Sequence, residues 1–594
     1  MRCEGLEDVE RVQQLPDQAI SQRTAQRARL PARLLSVLAR RTAPRAASFR
    51  PFSLQTRLLS MPYAFRRSSF KPLAAPLLAG MALLCVSASP LPAQRGQRPP
   101  DTASAAAKAP PAPPAAGSKV ADPDGVRIIP DTAITSTDAV TIKGKNVPYR
   151  VTVGTQPVWD EKGAPIASMF YTYYERSDVS DRDARPLVIS FNGGPGSASV
   201  WMHIAYTGPR QLRIDDEGYP VQPYGVQANP NSILDVADIV YIDPVNTGFS
   251  RIIGDAKREQ FFGVNEDIAY LARWVDAWVT RHSRWTSPKY LIGESYGTTR
   301  VAGLVERLQG SHWMFFNGVI LVSPTGLGVD RDGPVGSALR LPYFAATAWY
   351  HKALSPELQS RDLVQLLPEV ENFTIDKLLP GLARGGSLPA AQRQELVRQF
   401  AKYSGLSERA VEEQSLSVPT QYFWKELLRS RGVTVGRLDS RYEGLDRTDA
   451  GTSPDFDPAL TAWNHAFAPA INHYLRDVLK FKTDLQYWLF GPVNPWNRSG
   501  EETGEALRRA MAENPYLHLM VQSGYYDGAT DYFNAKYSMW NLDPAGRVQD
   551  RMTWKGYRSG HMMYLRRDDL ATSNEDIREF IARSTPRPGQ PAKR

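Results

Sequence analysis

The sequence predicts an α/β fold built on a mostly parallel sheet, with an inserted helical segment. Three observations support this prediction. Short apolar runs typical of buried strands alternate with segments whose apolar residues recur at helical spacing. Several predicted strands end in glycine-rich loops, including those at residues 192–196 and 293–297. Residues 328–497 lack repeated strand–helix units and are rich in predicted helix. Functional residues are expected in the loops at the carboxyl ends of the strands, where parallel sheets bind their ligands.

The first part of the predicted core holds a hairpin and two buried strands. Residues 149–159 and 164–174 have strand character, and a turn at residues 160–163 separates them. Continuous apolar runs at residues 187–191 and 238–243 predict strands that are covered on both faces. Such strands fit the centre of a parallel sheet.

An alternation of helices and strands follows. The predicted elements are a helix at 267–280, a strand at 290–292, a helix at 298–309 and a strand at 318–323. We interpret the inserted segment, residues 328–497, as a helical cap over the site. The pattern then resumes with strands at 516–522 and 548–557 and a helix at 574–584. The predicted core therefore comprises residues 125–327 and 498–594.

Three N-terminal segments are not expected to belong to this core. Residues 1–60 are rich in Arg and Gln, and we interpret them as an upstream extension that is not translated, with an organellar presequence as the alternative. Residues 61–93 have the basic start, apolar centre and small-residue end of a signal peptide. A membrane anchor is the alternative, although the apolar run 73–86 is short for a full span. The Pro- and Ala-rich residues 94–124 indicate an extended linker.

Charge and cysteine content exclude several functions. Residues 1–71 hold 14 Lys and Arg against 5 Asp and Glu, which accounts for the whole formal net charge of +9. The remainder is balanced, so a nucleic-acid partner is not expected. Both cysteines, Cys3 and Cys85, lie in the N-terminal segments. The predicted core therefore has no disulfide, no thiolate metal site and no cysteine nucleophile.

The motif Gly-Glu-Ser-Tyr-Gly at residues 293–297 carries the strongest functional signal. It lies between a predicted strand and a predicted helix, which is the context of a nucleophile elbow. The two glycines permit a turn that is tight enough to strain the serine backbone and expose its hydroxyl. Ser295 is therefore the candidate nucleophile. An ordinary glycine-rich turn is the alternative interpretation.

A serine nucleophile needs a base and an acid that orients the base. In α/β hydrolases the chain order is Ser, then Asp or Glu, then His. Asp527 directly follows a predicted strand, and His561 lies in a glycine-flanked loop near the C-terminus. We predict these two as acid and base, with Asp531 as the competing acid.

When a serine attacks a carbonyl group, negative charge develops on the carbonyl oxygen. Two backbone N–H donors are needed to stabilise this charge, and each lowers the barrier by a few kcal/mol. The amide of Tyr296, directly after the nucleophile, is one candidate. The second is the amide of Gly194, in the glycine-rich loop Asn-Gly-Gly-Pro-Gly at residues 192–196. These two amides would form an oxyanion hole.

Five motifs together resemble the serine carboxypeptidase family. They begin at Asn192 (Asn-Gly-Gly-Pro-Gly-Ser-Ala-Ser), Asp243 (Asp-Pro-Val-Asn-Thr-Gly-Phe-Ser), Gly293, Tyr526 (Tyr-Asp) and Ser559 (Ser-Gly-His-Met). The resemblance covers roughly residues 140–585. It implies an α/β-hydrolase fold with a helical cap, and release of C-terminal residues from peptides without a metal or other cofactor.

The same resemblance implies roles for individual residues. It implies Ser295, Asp527 and His561 as the triad, and Gly194 and Tyr296 as oxyanion donors. It further implies that Asn192, the Gly193 amide and Glu294 hold the terminal carboxylate of the substrate. Two carboxylates can touch only if one is protonated, so a buried Glu294 would favour acidic pH.

Three positions depart from the pattern common in this family. Ser190 stands where many members have Trp, and Tyr206 stands where many have Glu. Both family residues support carboxylate recognition, so selectivity for peptide C-termini and an acid optimum are less firmly implied here. Ser197 stands where a Cys is common. With the signal peptide, a core without disulfides suggests a bacterial product exported to the periplasm or the medium.

The sequence thus predicts a serine-type carboxypeptidase that acts through an acyl-enzyme on Ser295. An esterase or acyltransferase on the same scaffold is the first alternative, because the acyl-enzyme is common to all three. A non-catalytic peptide-binding protein is the second. The expected partners are peptide or small acyl substrates, with no stable membrane insertion after signal cleavage.

Overall fold

The computed structural model describes residues 127–329, 332–587 and 589. The predicted upstream extension, signal peptide and linker lie outside these residues, as do Cys3 and Cys85. The strands are β1 (Thr132–Ile142), β2 (Lys145–Trp159), β3 (Pro165–Arg176), β4 (Leu187–Phe191), β5 (Arg210–Leu212), β6 (Val226–Ala228), β7 (Asp238–Ile242), β8 (Arg251–Ile252), β9 (Lys289–Glu294), β10 (Gly318–Val322), β11 (Thr434–Val435), β12 (Glu443–Gly444), β13 (His518–Gly524) and β14 (Met552–Tyr557).

Helices occur throughout the described residues and dominate the segment between β10 and β13. They are α1 (Val200–Ala205), α2 (Val264–Arg281), α3 (Tyr296–His312), α4 (Gly333–Leu339), α5 (Leu341–Tyr350), α6 (Pro356–Gln359), α7 (Leu363–Phe373), α8 (Leu379–Arg384), α9 (Ala390–Ser404), α10 (Glu408–Glu413), α11 (Thr420–Glu426), α12 (Pro458–His473), α13 (Thr503–Glu513), α14 (Tyr532–Leu542) and α15 (Arg567–Ser584).

A ten-stranded sheet in the described residues has the order β1-β2-β3-β7-β4-β9-β10-β13-β14, and β8 pairs with β3. The β1-β2-β3-β7 pairs are antiparallel, whereas every pair from β7 to β14 is parallel. This arrangement confirms the predicted α/β-hydrolase sheet.

Helices cover both faces of the sheet. Adjacent residues of a strand point to opposite faces, so neighbouring residues of the central strands pack against different helices. In β9, Leu291 packs into the cluster that contains Trp274 of α2, and Ile292 packs into the cluster that contains Phe580 of α15. The continuous apolar runs that predicted buried strands follow from this coverage.

The predicted elements need five corrections. β1 was not predicted, and it pairs with β2 along its whole length. The strand predicted at 516–522 lies two residues later, and the one predicted at 548–557 begins only at Met552, after a 3₁₀ turn. The helix predicted at 574–584 begins at Arg567. The segment predicted as helical contains the short hairpin β11–β12.

The segment between β10 and β13 has a hydrophobic core of its own. Phe344, Phe400 and Phe423 pack together there, and the rings of Phe344 and Phe423 stack at 4.0 Å. An independent core is what an inserted subdomain requires. Among the described residues, no helix is both long and apolar enough to cross a bilayer.

Strand register aligns the loops that carry the candidate residues. Phe191 at the end of β4 pairs with Gly293, and Glu294 at the end of β9 pairs with Val322 of β10. Further along the sheet, Gly524 of β13 pairs with Tyr557 of β14. The loops after β4, β9, β13 and β14 therefore emerge at one edge of the sheet.

Candidate active site

The turn between β9 and α3 has the backbone strain expected of a nucleophile elbow. Ser295 has φ 58° and ψ −129°, a backbone conformation that residues other than glycine rarely adopt. A Cβ atom on Gly293 would lie 2.1 Å from the carbonyl oxygen of Gly297, so strand and helix cross too closely for any side chain there. Ser295 is partly exposed, whereas residues 291–294 and 296–299 are buried. The turn therefore presents this serine to the edge of the sheet.

The loops after β13 and β14 bring together the predicted acid and base. Asp527 Oδ2 lies 2.8 Å from His561 Nδ1. Asp527 also accepts hydrogen bonds from the Ala529 and Thr530 amides at 2.8 and 3.0 Å, and from Thr530 Oγ1 at 2.8 Å. Asp531, the competing acid, instead caps α14 by accepting from the amide of Asn534 at 3.0 Å.

These contacts set the protonation of the pair. Burial alone would raise the pKa of Asp527, but the charge and hydrogen bond of His561, with the Thr530 donors, hold it below its ordinary value. Burial likewise lowers the pKa of His561, but Asp527 and then Glu294 raise it above its ordinary value overall. The arrangement stabilises an imidazolium next to an ionised Asp527, which a base needs after it has taken a proton.

The predicted oxyanion donors belong to residues close to Ser295, since Tyr296 follows it and Gly194 lies in the loop that packs on the elbow. Tyr296 is the first residue of α3, so its N–H has no acceptor in a preceding helical turn. Gly194 is exposed and has φ 102°. The loop approaches the elbow so closely that a Cβ atom on Gly193 would lie 2.5 Å from the Tyr296 nitrogen. Gly194, Ser295 and Tyr296 line the same cleft.

The residues predicted to hold a substrate carboxylate also meet, but they are buried. Asn192 Nδ2 donates to Glu294 Oε2 at 2.6 Å, and Asn192 Oδ1 accepts from the Met202 amide at 3.0 Å. Asn192 is 1% exposed and Glu294 2%. Burial raises the pKa of Glu294 to about 7, against the lowering effects of His561, Tyr564 and Asn192. A terminal carboxylate would need access to this pair from the cleft.

Tyr564 is a site residue that the sequence did not reveal. Its hydroxyl donates to Glu294 Oε2 at 2.6 Å. Its ring stacks on that of Tyr206, with centroids 4.5 Å apart. Tyr206, at a position where Glu is common in the family, therefore supports a phenol donor to Glu294. Ser190, at the common Trp position, is fully buried, and its Oγ has no hydrogen-bond partner in the described part of the chain.

An ion pair beneath the elbow was also missed. Arg300 of α3 donates from Nε to Asp267 Oδ2 at 2.7 Å, and both side chains are fully buried. The same guanidinium donates to the carbonyl oxygens of Asn192 at 2.5 Å and Pro195 at 3.4 Å. Arg300 thus ties the candidate oxyanion loop to α3. The sequence pointed to Arg300 only through its position five residues after Ser295.

A cleft of about 660 Å³ opens beside the elbow. Ser295 lies in its wall, and Arg340 and Arg437 of the inserted segment line it from other sides. The site is therefore shared between the sheet and the insertion. Within the described residues, no group of three or more His, Cys, Asp or Glu side chains could hold a metal ion.

The family model described as serine carboxypeptidase matches residues 158–325. Serine carboxypeptidase-like 9 of Arabidopsis thaliana is 24% identical over 173 residues, which is 29% of this chain and 37% of that protein. Serine carboxypeptidase-like 16 of the same plant is 28% identical over 28% of this chain and 39% of its own length. Serine carboxypeptidase S10 family member 1 of Dictyostelium discoideum is 28% identical over 22% of this chain and 29% of its own. The matches thus span less than two fifths of each relative.

Among solved structures, Kex1Δp, a prohormone-processing carboxypeptidase from Saccharomyces cerevisiae, aligns with a TM-score of 0.47 and 14% identity. The alignment covers 73% of this chain and 91% of that one. A proline iminopeptidase from Mycobacterium smegmatis aligns with a TM-score of 0.30 and 11% identity, over 76% of this chain and 99% of its own. The sequence matches confirm the predicted similarity to the serine carboxypeptidase family.

Proposed function

We propose that this protein is a serine carboxypeptidase that releases C-terminal residues from peptides through an acyl-enzyme on Ser295. The hydrogen bond of 2.8 Å between Asp527 and His561, at the sheet edge that presents the strained Ser295, is the observation that carries the proposal. The match to the serine carboxypeptidase model supports hydrolysis of a peptide bond as the reaction.

In the proposed reaction, His561 Nε2 takes the Ser295 proton as Oγ attacks the scissile carbonyl. The Gly194 and Tyr296 amides stabilise the resulting oxyanion. The imidazolium then gives its proton to the leaving amine, and the C-terminal residue departs. Water, deprotonated by His561, hydrolyses the ester and restores Ser295.

Selectivity for chain ends would come from Asn192, the Gly193 amide and Glu294. A protonated Glu294 can donate to the substrate carboxylate, and Asn192 Nδ2 has a second hydrogen to offer. The burial of these groups would strengthen their hydrogen bonds to the substrate carboxylate, because such bonds are stronger in a low-dielectric environment.

One observation favours the esterase or acyltransferase alternative. The Asn192–Glu294 pair is almost closed to solvent, whereas Ser295 and Gly194 are open to the cleft. Substrates without a terminal carboxylate would need only the open part of the site.

Incubation with paired peptides that end in a free acid or an amide, followed by mass spectrometry, tests the proposal. Stepwise loss of residues from the free acids, with slower cleavage of the amides, is expected. Internal cleavage, or intact free-acid peptides together with ester hydrolysis, would contradict it. A folded wild type that a fluorophosphonate does not label would indicate the non-catalytic binder.

Glu294→Gln should remove a pH dependence of KM near neutrality. In the wild type the Glu294 pKa of about 7 leaves a protonated donor below that pH. Above it, two carboxylates repel, and KM for free-acid peptides should rise about tenfold per pH unit. Gln donates at every pH, so the variant's disadvantage should shrink as pH rises.

Steady-state kinetics between pH 5 and pH 9, both values chosen as about two units around that pKa, measure this effect. Peptide amides are the control, because they carry no terminal charge and their KM should not depend on Glu294 ionisation. Parallel KM profiles for wild type and variant on free acids would remove Glu294 from carboxylate recognition.

We further propose that the protein is exported, on the strength of the signal-peptide pattern at residues 61–93. Bacterial origin stays a prediction. The intact mass of the mature protein from its host tests export: cleavage near residues 89–93 is expected, and a chain that retains residues 61–93 would contradict it.

A further inference from the structure

Residues 437–440 of the inserted segment lie between the two loops that carry Asp527 and His561. We name this four-residue stretch the brace. Gly436 separates it from β11, and it precedes β12; Leu438, Asp439 and Ser440 are buried. Although it belongs to the segment between β10 and β13, it forms hydrogen bonds with the core loops after β13 and β14.

On one side the brace contacts the loop of the acid. The Gly528 amide donates to the Arg437 carbonyl oxygen at 3.0 Å. The Ser440 amide donates to the Tyr526 carbonyl oxygen at 3.0 Å, and Ser440 Oγ donates to the same oxygen at 3.2 Å. These bonds fix the residues directly before and after Asp527.

On its other side the brace contacts the loop of the base. The His561 amide donates to the Leu438 carbonyl oxygen at 2.6 Å, and the Gly560 amide donates to Asp439 Oδ2 at 3.1 Å. A Cβ atom on Gly560 would lie 2.5 Å from the Asp439 Cβ, so only glycine permits this approach. The brace therefore holds the backbone of His561 itself.

The charge on Asp439 is held in place by Arg441. Arg441 Nη2 donates to Asp439 Oδ2 at 2.7 Å and to Ser559 Oγ at 3.1 Å, so the ion pair also reaches the base loop. Asp439 is 1% exposed and Arg441 4%. Either partner alone would be an uncompensated buried charge, so separating Asp439 from Arg441 is costly.

The core supports these two loops as well, because Ser323, directly after β10, donates from Oγ to the carbonyl oxygen of His561 at 2.7 Å. Their direct backbone pairing ends where the Tyr526 amide donates to the Ser559 carbonyl oxygen at 2.9 Å. Asp527 and His561 lie just beyond that bond. Their mutual position therefore depends on the bonds through the brace together with the bond from Ser323.

We propose that Asp439 is a positioning residue, which holds the loops of Asp527 and His561 at hydrogen-bonding distance. The inserted segment thus supports the catalytic base in addition to lining the cleft. This inference rests on the proposed triad mechanism. Misplacing a reacting group by about 1 Å can cost about 100-fold in rate, so a small shift of the loops would be measurable.

Asp439→Asn tests the proposal, with Asp446→Asn as the matched control. Asp446 also belongs to the inserted segment and forms a buried ion pair, with Lys425, but it does not touch the brace. Both substitutions keep the side-chain shape and remove one buried negative charge. A loss of stability in the insertion alone would affect both variants alike.

Kinetics are measured at a temperature at which thermal unfolding shows both variants to be folded. Asp439→Asn should lower kcat at least about tenfold with KM within about twofold, and Asp446→Asn should leave kcat within about twofold. The strongly deshielded Nδ1 proton resonance of His561, a signature of its bond to Asp527, should shift or broaden in Asp439→Asn alone.

Wild-type kcat and an unchanged Nδ1 resonance in Asp439→Asn would overturn the inference and leave the proposed function intact. Equal losses in both variants would also overturn it. Failure of the proposed function is distinguishable, because the wild type would then show no turnover that depends on Ser295. The resonance would still report whether Asp439 positions His561.

Discussion

Ser295→Ala should lower kcat/KM for peptides by about 10⁵- to 10⁶-fold, the largest effect expected in this protein. Without Oγ no acyl-enzyme forms, and the oxyanion donors alone retain only a small rate advantage over water. The strained backbone at φ 58° belongs to the turn and should persist, so the variant should remain folded. Peptide kinetics, with fluorophosphonate labelling and an unfolding curve, measure all three consequences.

Ser283→Ala is the matched control, because Ser283 also has a positive φ, of 53°, but is exposed and is not among the residues that line the cleft. It should keep wild-type kcat/KM and full labelling. Labelling that survives in Ser295→Ala would assign the nucleophile to another residue. Residual peptide turnover within about 100-fold of wild type would contradict the acyl-enzyme mechanism.

The positions of Ser295, Asp527 and His561 could be predicted because each lies in the loop that follows a strand of a parallel sheet. The apolar run before Gly293 and the glycines around Ser295 predicted the elbow, and the structure has the strain that this spacing requires. Asp527 and His561 are 34 residues apart in sequence but meet because β13 and β14 are parallel neighbours. Local sequence patterns are therefore enough to predict site residues where the sheet topology brings the ends of the strands together.

The remaining features depend on tertiary contacts that leave weak traces in sequence. The brace acts largely through backbone groups, which any residue type offers, so only Gly560 hints at its close approach to Asp439. Tyr564 reaches Glu294 across 270 residues of chain. β1 was missed because most of its side chains are exposed and it is held by pairing with β2. These contacts form only when the sheet and the insertion have assembled.

Three residues that the sequence did not reveal contact the candidate site through buried hydrogen bonds. Tyr564, Arg300 and Asp439 are each buried, and each donates to or accepts from a group within one residue of a predicted site residue. In such surroundings a lost partner costs more than at the surface, because water cannot replace it. The support around the site therefore restricts how far its loops can move.

Asp527→Asn should lower kcat by about 10⁴-fold while the fold is retained. An Asn side chain can present its NH₂ group to His561 Nδ1, which would leave the proton on Nε2. The imidazole could then not accept the Ser295 proton. The loss of the Asp527 charge also removes the largest influence that raises the pKa of His561. The acid limb of the kcat/KM profile should therefore move to lower pH.

Asp531→Asn separates the two candidate acids. Asp531 caps α14 through the Asn534 amide, and Asn caps helices as well as Asp does, so the substitution should change stability by less than about 0.5 kcal/mol and kcat by less than about tenfold. Rate profiles from pH 4 to pH 9, about 2.5 units on either side of the ordinary His pKa, measure both variants. A larger kcat loss in Asp531→Asn than in Asp527→Asn would reverse the assignment. An unshifted acid limb in Asp527→Asn would show that the limb reports a group other than His561, because Asp527 is the partner that holds the pKa of this base up.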